Sequence, residues 1–240
     1  MKIDFDFVRL LLFRTIGNIM ILSSLYIIFK TFGPIVLQEA NYTYRQIRKI
    51  KVTINQTNPT SVSRLASPVR RGKEGFNSFA NLLEKLKKTE EIIVPADPNF
   101  SLVIPKIGAN SKVIANVNPS NYDEYIEALK YGVAHARGTA LPGDGGHIYL
   151  FAHSTDNFLN ITNYNAVFYL LYKLEKGDDL YLFYQGKKHV YRVLDKKIVD
   201  PQKTEFLTRQ SGNEFLTLQT CWPPGTTLQR LLIFATPVLK

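Results

Sequence analysis

The chain has one cysteine, Cys221, in the closing stretch "EFLTLQTCWPPGTTLQRLLIFATP", and an arginine, Arg230, follows nine residues later. Thiol chemistry needs a thiolate, a partner that moves a proton, and a group that holds the developing oxyanion. The period-2 alternation of "EFLTLQTC" puts Phe215, Thr217, Gln219 and Cys221 on one face of a strand, with Leu216, Leu218 and Thr220 on the other. The thiol then emerges at a strand end, at the mouth of the "WPPGT" turn. A lone cysteine more often serves as a small buried apolar residue, but the adjoining Pro-Pro-Gly turn argues for an open strand end. Arg230 sits in a second apolar run, sharing a face with Leu228, Leu232 and Phe234. A charge in mid-strand among apolar neighbours is costly unless it is paired or functional. A hairpin across the turn returns it beside Cys221, where its planar fork of donors suits an oxyanion or a substrate carbonyl.

The proton-moving group should be a histidine, and there are four. His189, in "GKKHVY", reads as an exposed residue of a basic hairpin. His147 opens a strand after "PGDGG". His153 ends the strand "HIYLFAH", and His135 lies in "YGVAHARGTALPG" after a helix. Loops and sites converge at strand ends, so His153 leads and His135 stands second on spacing alone.

The elements that must position these residues begin near Ile92. "FSLVIPKIG", "SKVIANV", "GHIYLFAH", "DDLYLFYQ", "KHVYRVLDKKIV", "EFLTLQT" and "LQRLLIFATPV" are short β-branched or aromatic runs, mostly separated by Gly, Asn, Asp or Pro. Such spacing reads as a sandwich or barrel. Two helices interrupt them: "NYDEYIEALKYG", opened by a capping Asn or Ser, and "NAVFYLLYKLEKGD", stopped by Gly177. Upstream, "QTNPTSVSRLASPVRRGKEG" has neither period and reads as a basic linker. Phe76, Phe79, Leu82, Leu83 and Leu86 then recur at helical spacing, which predicts a short amphipathic helix within residues 74–90.

The N-terminal stretch Ile16–Phe29 carries no charge. Extended over Phe13–Leu37 it is long enough to cross a bilayer, with Lys30 snorkelling to the interface. The absence of a small-residue cleavage site favours a retained anchor over a signal peptide. Basic residues flank both ends, so charge gives a divided vote on orientation. The net charge of +10 suits an anionic wall, lipid or nucleic acid, and no nucleic-acid motif accompanies it. One cysteine excludes an intramolecular disulfide framework or a multi-cysteine zinc site.

Taken together, "TLQTC", the arginine nine residues on and the upstream "GTALPGDGGHIYLFAHS" resemble the sortase family of cysteine transpeptidases. The family's T-L-x-T-C motif matches Thr217, Leu218, Thr220 and Cys221. Its histidine segment matches Gly138, Thr139, Ala140, Pro142, Gly143, Ala152 and His153, and its arginine matches Arg230. The likeness spans about residues 95–238. One departure is His147, where many members carry Asn.

The resemblance implies a mainly β fold, a closed sortase-like β-barrel of about eight strands with short helices, preceded by an N-terminal transmembrane helix. Residues 1–37 would be cytoplasmic tail and anchor, 38–91 a linker with its short helix, and 92–240 the catalytic domain. Cys221 is then the nucleophile, His153 the general acid and Arg230 the oxyanion holder, with Ala152, Thr220 and Trp222 meeting the substrate. The expected partners are secreted proteins bearing an LPXTG-like sorting signal, an amine acceptor in the cell wall or a pilus, and the membrane, with no nucleic acid. No cofactor is implied; some sortases bind Ca²⁺, and the sequence offers no clear carboxylate cluster for it. An L,D-transpeptidase would place Ser-x-Gly before its cysteine, which "LQTC" lacks. A non-catalytic, membrane-tethered β-domain that binds a surface partner is the other alternative.

Overall fold

The computed structural model of the chain describes residues 5–48, 52–54, 91–154 and 167–238. The amphipathic helix expected within residues 74–90 lies outside the described residues. Helix α1 runs unbroken over Phe5–Arg48, past the apolar stretch and into the polar segment that follows. Its Val8–Lys30 portion, 23 residues with mean hydropathy 1.7, is apolar and long enough to span a membrane, and the protein itself does not bury it. Strand β1 (Val52–Ile54) then pairs in parallel with β2 (Glu91–Ile93), a contact that nothing in the linker composition announced.

The remaining strands are β3 (Phe100–Ile104), β4 (Ala109–Val117), β5 (Val133–Ala136), β6 (His147–Phe151), β7 (Asp179–Tyr184), β8 (Lys187–Val199), β9 (Phe215–Trp222) and β10 (Gln229–Pro237). They close into an eight-stranded barrel in the order β10-β8-β7-β3-β4-β5-β6-β9. Alternate residues point inward, so Leu102, Ile104, Leu150, Leu182, Leu216 and Leu218 are wholly buried in its interior. On the outer face of β10, Leu232 and Phe234 form a second apolar cluster with Val199, against which Phe206 and Phe215 pack.

Parallel neighbours need a crossover, and helix α2 (Tyr122–Tyr131) supplies the one between β4 and β5. The side chain of Asn121 caps it by accepting from the Glu124 amide at 3.3 Å. Gly132 ends it where a Cβ would lie 2.3 Å from the Lys112 carbonyl oxygen, so only glycine lets β5 settle beside β4.

The structure differs from the sequence reading at two further elements, besides α1 and β1 reaching into the segment read as a linker. Strand β5, four residues buried on both sides, was hidden behind the helix it follows. The stretch read as a helix from "NAVFYLLYKLEKGD" is, from Val167 on, a turn followed by one 3₁₀ turn at Leu171–Lys173. Phe168, Leu171 and Leu174 are each fully buried. Their spacing of three fits the 3₁₀ period rather than 3.6. Lys196 reinforces the turn by donating to the carbonyls of Tyr172 at 2.9 Å and Leu174 at 3.0 Å.

Candidate active site

Cys221 is the penultimate residue of β9 and stands directly opposite Arg230 in the β9–β10 ladder. Facing residues of an antiparallel pair share a face, with Cβ atoms about 4.5–5.5 Å apart. The interior places on β9 are taken by Leu216 and Leu218, so Thr217, Gln219 and Cys221 lie on the barrel's outer wall. The hairpin supposed from the sequence therefore exists and brings thiol and guanidinium together.

Arg230 opens β10 rather than sitting in mid-strand, and Leu228, expected beside it, is 71% exposed and outside the strand. Nη1 of Arg230 donates to the carbonyl oxygens of Thr227 and Gln229, both at 3.1 Å. These two bonds hold the guanidinium at the strand entrance, with no carboxylate partner among the described residues.

His153 arrives by a different route. Strand β6 runs parallel to β9, with Phe151 opposite Gln219. The pairing continues beyond β6: the Ala152 amide donates to the Gln219 carbonyl at 3.1 Å, and Thr220 Oγ1 donates to the Ala152 carbonyl at 2.9 Å. The two chains are thus stapled side by side one residue before His153 and Cys221. Thr220 and Ala152 are buried in making this staple, and both border the groove.

That groove, of about 520 Å³, is lined by His153, Cys221 and Arg230 together. It is also lined by Tyr122, Tyr125 and Ile126 of α2, by Tyr149 of β6 and Gln219 of β9, and by Pro201, Lys203, Thr204 and Leu207. Tyr149 donates its hydroxyl to the side-chain carbonyl of Gln219. Tyr125 and Tyr149 were missed in the sequence, although Tyr149 lies one register step from the expected site on the outer face of β6. Trp222, expected at the substrate, is not among the groove-lining residues; its ring packs on Tyr172, with centroids 5.4 Å apart.

Burial pushes the Cys221 thiol above its ordinary value, and the Arg230 guanidinium pulls it back in part. Burial likewise raises Tyr125, as do the neighbouring Tyr122 and, more weakly, Cys221, with Arg230 opposing.

None of the other three histidines lines this groove. His135 is fully buried, with Nε2 at 3.0 Å from both the Ala140 carbonyl and Thr139 Oγ1, while Nδ1 accepts from the Asn116 amide at 3.2 Å. His147 spans the Arg209 carbonyl at 3.1 Å and Thr217 Oγ1 at 2.8 Å. Burial lowers the pKa of both rings. His189 is partly buried rather than exposed, with its ring close against Gly143.

Residues 102–238 match the sortase domain family model. A curated relative, Sortase D of Bacillus subtilis (strain 168), is 30% identical over 136 residues, which cover 55% of this chain and 60% of the relative. The chain thus matches less than two thirds of that relative's length. Among solved structures, sortase C-1 from Actinomyces oris is 28% identical with a TM-score of 0.50, covering 68% of this chain and 84% of that one. Sortase C1 of GBS pilus island 1 is also 28% identical at a TM-score of 0.50, covering 59% and 64%. A domain match over more than half the sequence and a closed eight-stranded barrel of the same kind agree: the chain belongs to the sortase family.

Proposed function

We propose that this sortase is a membrane-anchored cysteine transpeptidase that cleaves an LPXTG-like sorting signal and joins the acyl half to an amine. The observation that carries the reading is the direct cross-strand pairing of Cys221 with Arg230 at the head of the groove that His153 also lines. The thiolate of Cys221 attacks the threonine carbonyl of the signal. Arg230, oriented by the Thr227 and Gln229 carbonyls, donates to the oxyanion. His153 gives its proton to the departing amine as the C–N bond breaks, leaving a thioester on Cys221. An incoming amine attacks the thioester, loses a proton to His153, and forms an amide as the thiolate departs. A cell-wall peptide or a pilin lysine would supply that amine.

Because burial raises the thiol, only a minority of molecules hold the Cys221 thiolate at neutral pH. Ala152 and Thr220 contribute by holding the two reactive chains in register, and Trp222 by its position next to the nucleophile. Val8–Lys30 is the proposed anchor, with the barrel outside the cell. The test is incubation with LPXTG-like peptides and an amine, read by intact mass. Wild type should gain the mass of the acyl half on Cys221, and Cys221→Ala should neither gain it nor form product. Joining of peptide to amine by Cys221→Ala would sink the proposal.

A further inference from the structure

The polar end of α1 does not leave the barrel alone. Tyr42 packs on the barrel core. Arg45 lies so close over Gly108 that a Cβ there would stand 3.2 Å from its Nη1. Glu39 accepts a hydrogen bond from the Tyr172 hydroxyl at 2.6 Å and an ion pair from Lys173 at 3.3 Å. The Lys173 ammonium also sits 5.2 Å from the Tyr42 ring centre and 4.9 Å from that of Tyr172. Four side chains thus lock the helix to the 3₁₀ turn.

The opposite side of this contact is the nucleophile's strand. The ring of Tyr172 packs on that of Trp222, the residue after Cys221 and the last of β9. The Tyr172 backbone is itself pinned to β8 by Lys196. The hydroxyl of Tyr172 is therefore held by α1, its backbone by the barrel, and its ring meets Trp222 at a tilt. Trp222 pairs with Gln229, next to Arg230, so its placement bears on both partners of the reactive pair. Glu39 is nine residues beyond Lys30, about 14 Å along the helix axis, so the contact forms just outside the apolar stretch.

We propose that the juxtamembrane end of α1 is a positioning element for the nucleophile: Glu39, through Tyr172, sets Trp222 and with it the Cys221 end of β9. Glu39 and Tyr172 are positioning residues that touch no substrate. The proposal takes Cys221 as the nucleophile from the reading above, but its test needs no substrate.

The chain carries one tryptophan and one cysteine. Trp222 emission therefore reports the Tyr172 contact, and iodoacetamide alkylation reports the reactivity of Cys221, each without background. The full chain in detergent micelles is compared with Glu39→Ala, Glu39→Gln, Tyr172→Phe and the Glu39→Ala/Tyr172→Phe double variant. Tyr172→Phe keeps the ring but loses its bond to Glu39. Glu39→Gln keeps an acceptor for the hydroxyl but loses the charge facing Lys173.

Glu39→Ala and Tyr172→Phe should each shift the emission and change the alkylation rate roughly two- to tenfold, the scale of one hydrogen bond. Glu39→Gln should fall between them and wild type. The double variant should show less than the sum of the two single changes, because both break one contact. Unchanged emission and alkylation, additive effects, or a change in melting temperature alone would each overturn the proposal. If wild type forms no acyl-enzyme while these shifts occur, the functional reading fails and the positioning role stands.

Discussion

Replacing Arg230 by lysine or alanine separates two contributions that the proposed function gives to one side chain. The guanidinium opposes the burial that raises Cys221, and it presents a planar fork at the head of the groove. Lysine retains the positive charge and loses the fork; alanine loses both. Removing one oxyanion donor costs about 10²–10³ in kcat, or about 2.7–4 kcal/mol of transition-state stabilisation. The folded state loses less. The bonds from Arg230 to the Thr227 and Gln229 carbonyls lie at the exposed entrance of β10. Such bonds contribute about 0.5–1.5 kcal/mol each at most, which corresponds to a few degrees in Tm for a domain of this size. Kinetics of peptide–amine joining, the pH profile of Cys221 alkylation and a melting curve are to be measured on each variant. Arg230→Lys should lose about 10²–10³ in turnover while its alkylation profile stays near that of wild type. Arg230→Ala should lose at least as much, with its profile displaced to higher pH. Near-normal turnover in Arg230→Lys would reduce the arginine to a generic charge, and loss of folding in both variants would make it structural.

Because burial raises the Cys221 thiol, its alkylation in wild type should climb about tenfold per pH unit between pH 7 and 8; a rate already flat there would mean a low-pKa thiolate. His135 and His147 are held neutral by burial, so the unfolded chain takes up protons first as pH falls below its ordinary value of about 6.5. Stability is therefore fully present above that value. It should decline by up to about 2.7 kcal/mol per pH unit from there down to the depressed native values, then level off; chemical denaturation from pH 7 to 5 tests this, and a flat profile contradicts it. Protease added to intact cells should remove the barrel if α1 is an anchor with its N-terminus inside, whereas full protection of the barrel would reverse the topology.

The local geometry was legible in the chain itself. Period-2 alternation put Leu216 and Leu218 inside and Cys221 outside, because a strand's side chains alternate whatever it pairs with. The Pro-Pro-Gly turn implied a hairpin, and that hairpin's register makes Arg230 the partner of Cys221. The helix read as opened by a capping Asn or Ser is capped by Asn121. Tertiary structure alone decided what no local pattern encodes. Four histidines were present, and spacing ranked His153 above His135 but could not show which one is enclosed. Barrel closure did so, enclosing His135 among its own hydrogen bonds and leaving His153 at the groove. The parallel β6–β9 pairing joins segments about 70 residues apart, so the Ala152–Thr220 staple had no sequence signal. The same holds for the bond between Glu39 and Tyr172, 133 residues apart. A capping or alternation pattern records a residue's own backbone; which distant surface covers it is settled only when the sheet closes and excludes water.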